Sequence, residues 1–380
     1  MDPSSGNDGK TSTGRRFLIV SAGMGSGHAA VAAELMRRLE GAGHTAAQVD
    51  VLELLPPGVG RGVREFYRVA VCHVPAVYAG VYAVFLRPGK GPRPGNGPLA
   101  ALAERRFLQL VERWRPHVIV PVFHLAAQLT GRLRARGSLT VPGAVVITDF
   151  AVHRQWLHPG NDLNLCLTSG IAGEVRRAVG RSAAVSGPLV ARRFHAPAEA
   201  EGWAGVLGGT ERGPVLISTG AWGAGNHVLE TARVIAGAGF LPVVLCGSNR
   251  RLRSRASRTP GVVALGWVTD MPGLLAASRA LVDNAAGQTA LEALAAGVPV
   301  IGYRPIPGHG KDGVRRMAEE GLTAHATGPR SLVRALDEAT VPGPVREWRA
   351  AEARRLFAAD ALPHLEDLAG AGPGPRAHEV

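Results

Sequence analysis

One local pattern occurs twice in this chain: a short apolar run, a glycine loop, then apolar residues at helical spacing. Phe17-Leu-Ile-Val20 leads through Ser21-Ala-Gly-Met-Gly-Ser-Gly-His28 to Val31, Leu35 and Leu39. Pro214-Val-Leu-Ile-Ser218 leads through Thr219-Gly-Ala-Trp-Gly-Ala-Gly-Asn226 to a helical stretch from His227 to Gly237. Runs that are apolar at every position suit strands covered on both faces, and the helix that follows supplies the crossover a parallel neighbour needs. Strand signals at residues 45–51, 118–122, 145–148, 164–167 and 183–186 follow the first copy, and helix-period stretches at 99–114, 125–136 and 171–179 separate most of them. Residues 241–245, 262–265, 280–283 and 299–303 carry strand signals after the second copy. The expected class is α/β, with two Rossmann-like doubly wound domains facing across a cleft. The first is expected at residues 15–190 and the second at 191–341, with helices over 342–370 packing back on the first. Residues 1–14 and 371–380 read as disordered tails.

The length of 380 residues allows two full cores, and 46% hydrophobic with 19% charged residues is a globular balance. A net charge of +13 would suit an acidic partner, yet it comes from arginine, since lysine occurs only at Lys10, Lys90 and Lys311. No basic patch is interleaved with aromatic residues, so nucleic acid is not an expected partner. Cys72, Cys166 and Cys246 lie far apart in apolar surroundings and read as buried small groups in a reducing compartment. Met1 to Gly14 lacks the apolar core of a secretion signal, so the expected location is cytoplasmic. Residues 69–86 carry no formal charge and are bracketed by Arg61, Arg64, Arg68, Arg87, Lys90 and Arg93. His73, Pro75 and Gly80 argue against a membrane span. Two readings stand: an interfacial hairpin dipping into an anionic membrane, or a pair of core helices.

The chemistry is expected in the strand-end loops. In the first glycine loop the spacing is G-x-G-x-G rather than the dinucleotide G-x-G-x-x-G, although Asp50 stands where a ribose-binding acid would. Gly25 and Gly27 leave room for an acceptor. His28 enters a helix at its positive end, which favours the neutral imidazole that a general base requires. In Val145-Val-Ile-Thr-Asp149-Phe-Ala-Val-His153-Arg-Gln-Trp156, Asp149 and His153 are further catalytic candidates and Trp156 is a candidate acceptor wall. In the second loop, Gly220, Ala221, Trp222 and Gly223 let backbone amides approach a diphosphate. No P-loop and no D-x-D occur, which disfavours ATP hydrolysis and a carboxylate-held metal–diphosphate complex. In Asp283-Asn-Ala-Ala-Gly-Gln-Thr-Ala-Leu-Glu292, the small loop containing Gly287, Gln288 and Thr289 suits an anion, and Glu292, read as first-turn, suits a diol. Trp267 and Val268 can flank a base. His309, Gly310, Lys311 and Asp312, in a proline-rigid loop, offer polar groups to a sugar or phosphate.

The pairing of Ser-Ala-Gly-Met-Gly-Ser-Gly-His28 with Ala-Gly-Gln-Thr-Ala-Leu-Glu-Ala-Leu-Ala-Ala-Gly-Val-Pro and Pro-Ile-Pro-Gly resembles the monogalactosyldiacylglycerol synthase family, as does Thr-Asp149-Phe with His153 and Trp156. More distantly it resembles the cell-wall glycosyltransferase that adds N-acetylglucosamine to lipid I. The resemblance spans roughly residues 15–328. It implies a GT-B fold and inverting, metal-independent sugar transfer from a nucleotide sugar, usually UDP-linked, with no other cofactor. It also implies that His28 is the base or lies near the reacting centre, Glu292 holds the ribose, Trp267 and Val268 hold the uracil, and His309 and Gly310 face the sugar. The chain departs from the plant-type pattern at His309-Gly310, which replaces Gln-Glu, at Gly313, which replaces Asn, and at Ala286-Gly287-Gln288, which replaces Gly-Pro-Gly. The expected activity is transfer to a hydroxyl acceptor, a diacylglycerol-like lipid at the inner face of the cell membrane. The alternatives are a soluble natural-product acceptor, a non-catalytic nucleotide-sugar-binding protein, and an NAD-dependent enzyme resting on Asp50.

Overall fold

The computed structural model describes residues 14–86 and 97–371. Residues 1–13 and 372–380, which include most of both expected tails, and Arg87, Lys90 and Arg93 lie outside the described residues. The first half runs β1 (Arg16–Ser21), α1 (Gly27–Gly41), β2 (Thr45–Asp50), α2 (Val59–His73), α3 (Pro75–Val81), a π-helical turn (Tyr82–Leu86), α4 (Gly97–Trp114), β3 (Val118–Pro121), α5 (His124–Ala135), β4 (Ala144–Val146), β5 (Leu163–Cys166), α6 (Ser169–Val179) and β6 (Ser182–Val185). The second runs α7 (Glu201–Leu207), β7 (Pro214–Ser218), α8 (Val228–Gly237), β8 (Leu241–Leu245), α9 (Arg250–Ala256), β9 (Val263–Leu265), α10 (Met271–Ala276), β10 (Ala280–Asp283), α11 (Gln288–Ala295), β11 (Val300–Tyr303), α12 (His309–Glu319), β12 (Thr323–Ala326) and α13 (Pro329–Thr340). Helices α14 (Pro344–Leu356) and α15 (Leu362–Gly370) end the described chain.

Among the described residues every strand pair is parallel. The second half forms one six-stranded sheet in the order β12-β11-β10-β7-β8-β9, a doubly wound arrangement. The first half forms β2-β1-β3 and β4-β5-β6, joined by a parallel bridge between Ile119 and Gly143. Where the second half uses β9 as a third strand, the first half runs from β2 into α2, α3 and the π-helical turn. The apolar runs behave as their composition requires: Phe17, Leu18, Ile19 and Val20 on β1 are at most 1% exposed, because helices cover both faces of the sheet.

Helix α14 packs beside α11, whereas α15 crosses to the first half. Ala361 and Leu365 are buried with Phe17 and Ile19. Arg38 meets Asp360 at 3.0 Å, and His44 Nε2 lies 2.9 Å from Glu366 Oε1. The chain therefore passes between the halves twice, once after β6 and once between α14 and α15. The passages touch: Gly187 has φ +60°, and a Cβ there would fall 2.6 Å from the carbonyl oxygen of Leu356.

The uncharged 69–86 stretch is helical and two-faced. Tyr78 and Tyr82 are buried, while Val69, Val74, Val77, Val84 and Phe85, and Phe66 just before the stretch, are exposed large apolar groups. Neither a simple core pair nor a free hairpin describes it. Of the described bracketing arginines, Arg64 pairs with Asp50 and Arg68 with Glu65, so part of the expected positive rim is neutralised locally. No helix among the described residues is long and apolar enough to cross a membrane.

Candidate active site

The glycine loops leave β1 and β7, the strands from which each sheet is wound in both directions, so they face each other at the carboxyl ends of the two sheets. Gly25 takes φ +98° with open space where a Cβ would stand, so the loop turns without filling the cleft. His28 is the second residue of α1, and its Nδ1 lies 2.9 Å from the carbonyl oxygen of Val122. A carbonyl only accepts, so Nδ1 carries the proton and Nε2 keeps its lone pair. Burial lowers the His28 pKa, while the charge of Asp149 and the bond to Val122 oppose it. The neutral imidazole expected from the helix end thus owes most to burial.

Asp50 is committed elsewhere. It accepts from the amides of Gly23 (3.0 Å) and Leu52 (2.8 Å) and from Arg64 (2.9 Å). With its oxygens so engaged it shapes the glycine loop, and the dinucleotide alternative loses the acid on which it rested.

Asp149 follows β4 and faces the same space. Its Oδ2 accepts the indole N–H of Trp156 at 2.8 Å, which fixes the carboxylate from behind. Trp156 is fully buried, so it positions Asp149 as well as contributing to the apolar wall. His153 is 3% exposed, with Nε2 3.6 Å from Asp149 Oδ2, beyond a hydrogen bond. Burial drives its pKa well below the ordinary histidine value, and burial lowers that of neighbouring His124 to about 3. His153 therefore stands as a neutral group behind Asp149.

In the second half, Asp283 organises the loop that sequence composition presents only as small residues. Its Oδ2 accepts from the amides of Ala285 (2.9 Å) and Ala286 (2.6 Å), and Ala286 is held at φ +52°. Asn284 donates to the carbonyl of Ala224 at 3.0 Å, tying this loop to the second glycine loop. Gly287 caps α11, so Glu292 falls in the second turn of the helix, not the first. The dipole argument weakens accordingly, and burial pushes the Glu292 carboxyl up to about 7, with Arg193 opposing. Gln288 donates to the Leu189 carbonyl at 3.2 Å, a tether to the segment leaving the first half.

The expected polar loop at 309–312 is the first turn of α12. Helical rotation sends its side chains in different directions, so they do not act as a group. His309 reaches the cleft. Gly310 serves packing, since a Cβ there would lie 2.4 Å from Ile306 Cγ1. Lys311 is exposed and lines none of the cavities described below. Asp312 accepts from the Tyr82 hydroxyl at 2.9 Å.

Three adjoining cavities result. One of about 430 Å³ is walled by Arg193, Trp267, Val268, Gln288, Thr289 and Glu292, with Trp267 63% exposed at its edge. The next, about 230 Å³, lies between Gly25, Gly27 and His28 on one side and Gly220, Ala221, Trp222, Gly287 and His309 on the other. It shares Gln288, Thr289, Gly220 and Ala221 with the first. Gly223 belongs to this loop but does not line the cavity; its φ is +66°, and a Cβ on it would fall 2.4 Å from Asn249 Cβ and 2.7 Å from the Cys246 carbonyl oxygen. The third, about 260 Å³, is apolar, lined by Phe66, Val81, Phe85, Leu86 and Leu99 with Trp156 and His124. His28, Asp149 and His309 border both the second and the third.

Sequence patterns missed Asp283, Arg193, Tyr78 and His124. A buried acid at a strand end before a run of small residues is a usable signal for Asp283; the others are brought in by long-range packing. Removing the Asp283 carboxylate leaves two loop amides without their acceptor, at about 1–3 kcal/mol each. The Asp283→Ala variant is expected to melt several degrees lower and to bind UDP more weakly. Calorimetry and titration check this, and an unchanged melting temperature would remove Asp283 from that role.

The family model described as monogalactosyldiacylglycerol (MGDG) synthase matches residues 28–184. A processive diacylglycerol beta-glucosyltransferase of Bacillus licheniformis is 23% identical over 335 residues, covering 81% of this chain and 82% of its own. The one from Bacillus pumilus is 24% identical with the same coverage. Among solved structures, Os79 from O. sativa in complex with UDP aligns with a TM-score of 0.63 at 14% identity, over 93% of this chain and 99% of that one. The glycosyltransferase SnogD from Streptomyces nogalater aligns at 0.61 and 17%, over 94% and 100%, and Acinetobacter baumannii MurG at 0.53 and 13%, over 94% and 99%. The fold and the relatives define a glycosyltransferase of the GT-B class. Within that class, residues 28–184 resemble the monogalactosyldiacylglycerol synthase family.

Proposed function

We propose that this protein moves a hexosyl group from a UDP-sugar to the free hydroxyl of a diacylglycerol-like lipid, with inversion and without a metal. The observation that carries this reading is the row of cavities: a polar one that suits a nucleoside, an amide-rich one, and an apolar one, with His28 at the junction of the last two. Trp267 and Val268 flank the base, and the Glu292 carboxylate accepts from the ribose hydroxyls. Backbone N–H groups around Gly220–Ala221 and Gly287–Thr289, with Arg193, receive the diphosphate. The acyl chains occupy the apolar cavity. His28 Nε2 takes the proton of the acceptor hydroxyl as its oxygen attacks the anomeric carbon. The bond from that carbon to the diphosphate breaks, UDP leaves, and the imidazolium returns its proton to solvent. Asp149, held by Trp156, stabilises the charged imidazole while it lasts.

The relatives named as diacylglycerol glucosyltransferases support a lipid acceptor and make UDP-glucose the first donor to try. The exposed apolar face of α2, α3 and the π-helical turn, continuous with the third cavity, supports a peripheral position at the inner face of the membrane.

Thermal stabilisation by UDP-sugars, set against GDP-sugars and NAD, tests the donor; no stabilisation by UDP or UDP-glucose would sink the reading. A vesicle assay tests the acceptor side. The wild type should sediment with vesicles containing diacylglycerol and phosphatidylglycerol. Replacing Phe66, Val77 and Phe85 together by Asp should lower the bound fraction at least about 10-fold, as three apolar groups are lost from the interface. Equal sedimentation would shift the reading to a soluble acceptor.

A further inference from the structure

The segment that replaces a third strand in the first half makes contacts its sequence does not announce. Tyr78 and Tyr82 are 2% and 4% exposed, whereas Val74, Val77, Val84 and Phe85 on the same turns are 37–48% exposed. The outer face is apolar and the inner face carries two phenols. Those phenols cross the cleft. The Tyr78 hydroxyl pairs with Nδ1 of His309, and the Tyr82 hydroxyl donates to Asp312. Just before the two partners, Gly308 has φ +75°, and a Cβ on it would lie 2.7 Å from Tyr82 Cγ, so the ring rests directly on the backbone where α12 begins.

The other end of the segment is tied as firmly. Arg154 donates to the carbonyls of Phe85 (2.9 Å) and Val84 (3.1 Å), and Gln155 donates to Phe85 (3.0 Å). Arg154 and Gln155 belong to the loop that presents Asp149 and Trp156. One short segment therefore holds the apolar cavity wall, the Asp149 loop and the start of α12 in a single frame. It includes a π-helical turn, a conformation that recurs at functional sites.

We propose that Tyr78 and Tyr82 are positioning residues for sugar transfer, acting through His309 and Asp312 to set the sugar-side wall of the junction. The inference rests on the transferase reading above. His309 borders the junction but not the nucleoside cavity, so the effect belongs to the sugar and not to the nucleotide.

The test uses the full chain and two probes, UDP and UDP-glucose. Tyr78→Phe should weaken UDP-glucose binding and lower kcat/KM on the order of 10-fold, with UDP affinity within about 2-fold. The double variant Tyr78→Phe/His309→Ala should be no worse than His309→Ala alone, because the hydroxyl acts through the imidazole. Tyr82→Phe with Asp312→Ala gives a second cycle of the same form, for use if Tyr78→Phe does not fold. Losses that are equal for UDP and UDP-glucose, losses that simply add, or no loss at all would each overturn the proposal. Wild-type protein that binds neither probe fails the parent reading instead, and this one with it.

Discussion

The His28→Ala variant should lose about 10²–10⁴-fold in turnover while binding UDP within a factor of about two of the wild type. The split follows from position. His28 borders the second and third cavities but has no place in the nucleoside cavity. Its Nδ1–H is committed to Val122, so the one nitrogen left to take a proton faces the junction. Burial holds its pKa below that of a free histidine, so activity should persist at a lower pH than a free imidazole base would permit. Single-turnover rates across pH, beside UDP titration, check both parts. Wild-type turnover in the variant would make His28 structural and leave Asp149 as the base. Lost UDP binding would mean that the loop had collapsed.

The second large effect is expected at Glu292, where function and stability pull in opposite directions. A carboxyl whose folded pKa is about 7, against an ordinary value near 4.5, keeps a proton that the unfolded chain has released across that window. Folding stability therefore declines as pH rises from about 4.5 to 7, and Glu292→Gln removes the decline. At pH 8 the variant should be more stable by on the order of 1–3 kcal/mol and should bind UDP about 10-fold more weakly. In the wild type, UDP affinity should rise between pH 6 and 8 as the carboxylate forms. Melting curves and titrations at both pH values decide; a variant that is less stable and binds UDP as tightly as the wild type would place Glu292 outside the site. The buried histidines act with the opposite sign. His124, lowered to about 3 by burial, makes folding lose stability as pH falls below about 6.5.

What was legible in the sequence is what short-range chemistry decides. The runs of β1 and β7, the glycine loops and His28 at a helix start are local facts, and they placed two facing α/β halves correctly. Glu292 was legible as a candidate, but its helix turn depends on where Gly287 caps α11, a backbone choice imposed by Asp283 and its two amide bonds. The 309–312 turn was hidden because Pro305, Pro307 and Gly308 mark a break without saying that a helix follows at once. Tyr78 and Tyr82 were invisible for a different reason. An uncharged stretch tells that a surface is apolar, not that one of its faces meets Asp312 some 230 residues away.

The two passages between the halves run in contact at Gly187 and Leu356, and this governs how the cleft can open. A lone linker would let one half swing and twist freely. Two adjacent ones act like paired leaves on one pin, restricting motion to rotation about a line through both. Donor entry and UDP exit would then share a single mechanical coordinate. A side chain wedged in at Gly187, against the Leu356 carbonyl, would jam it.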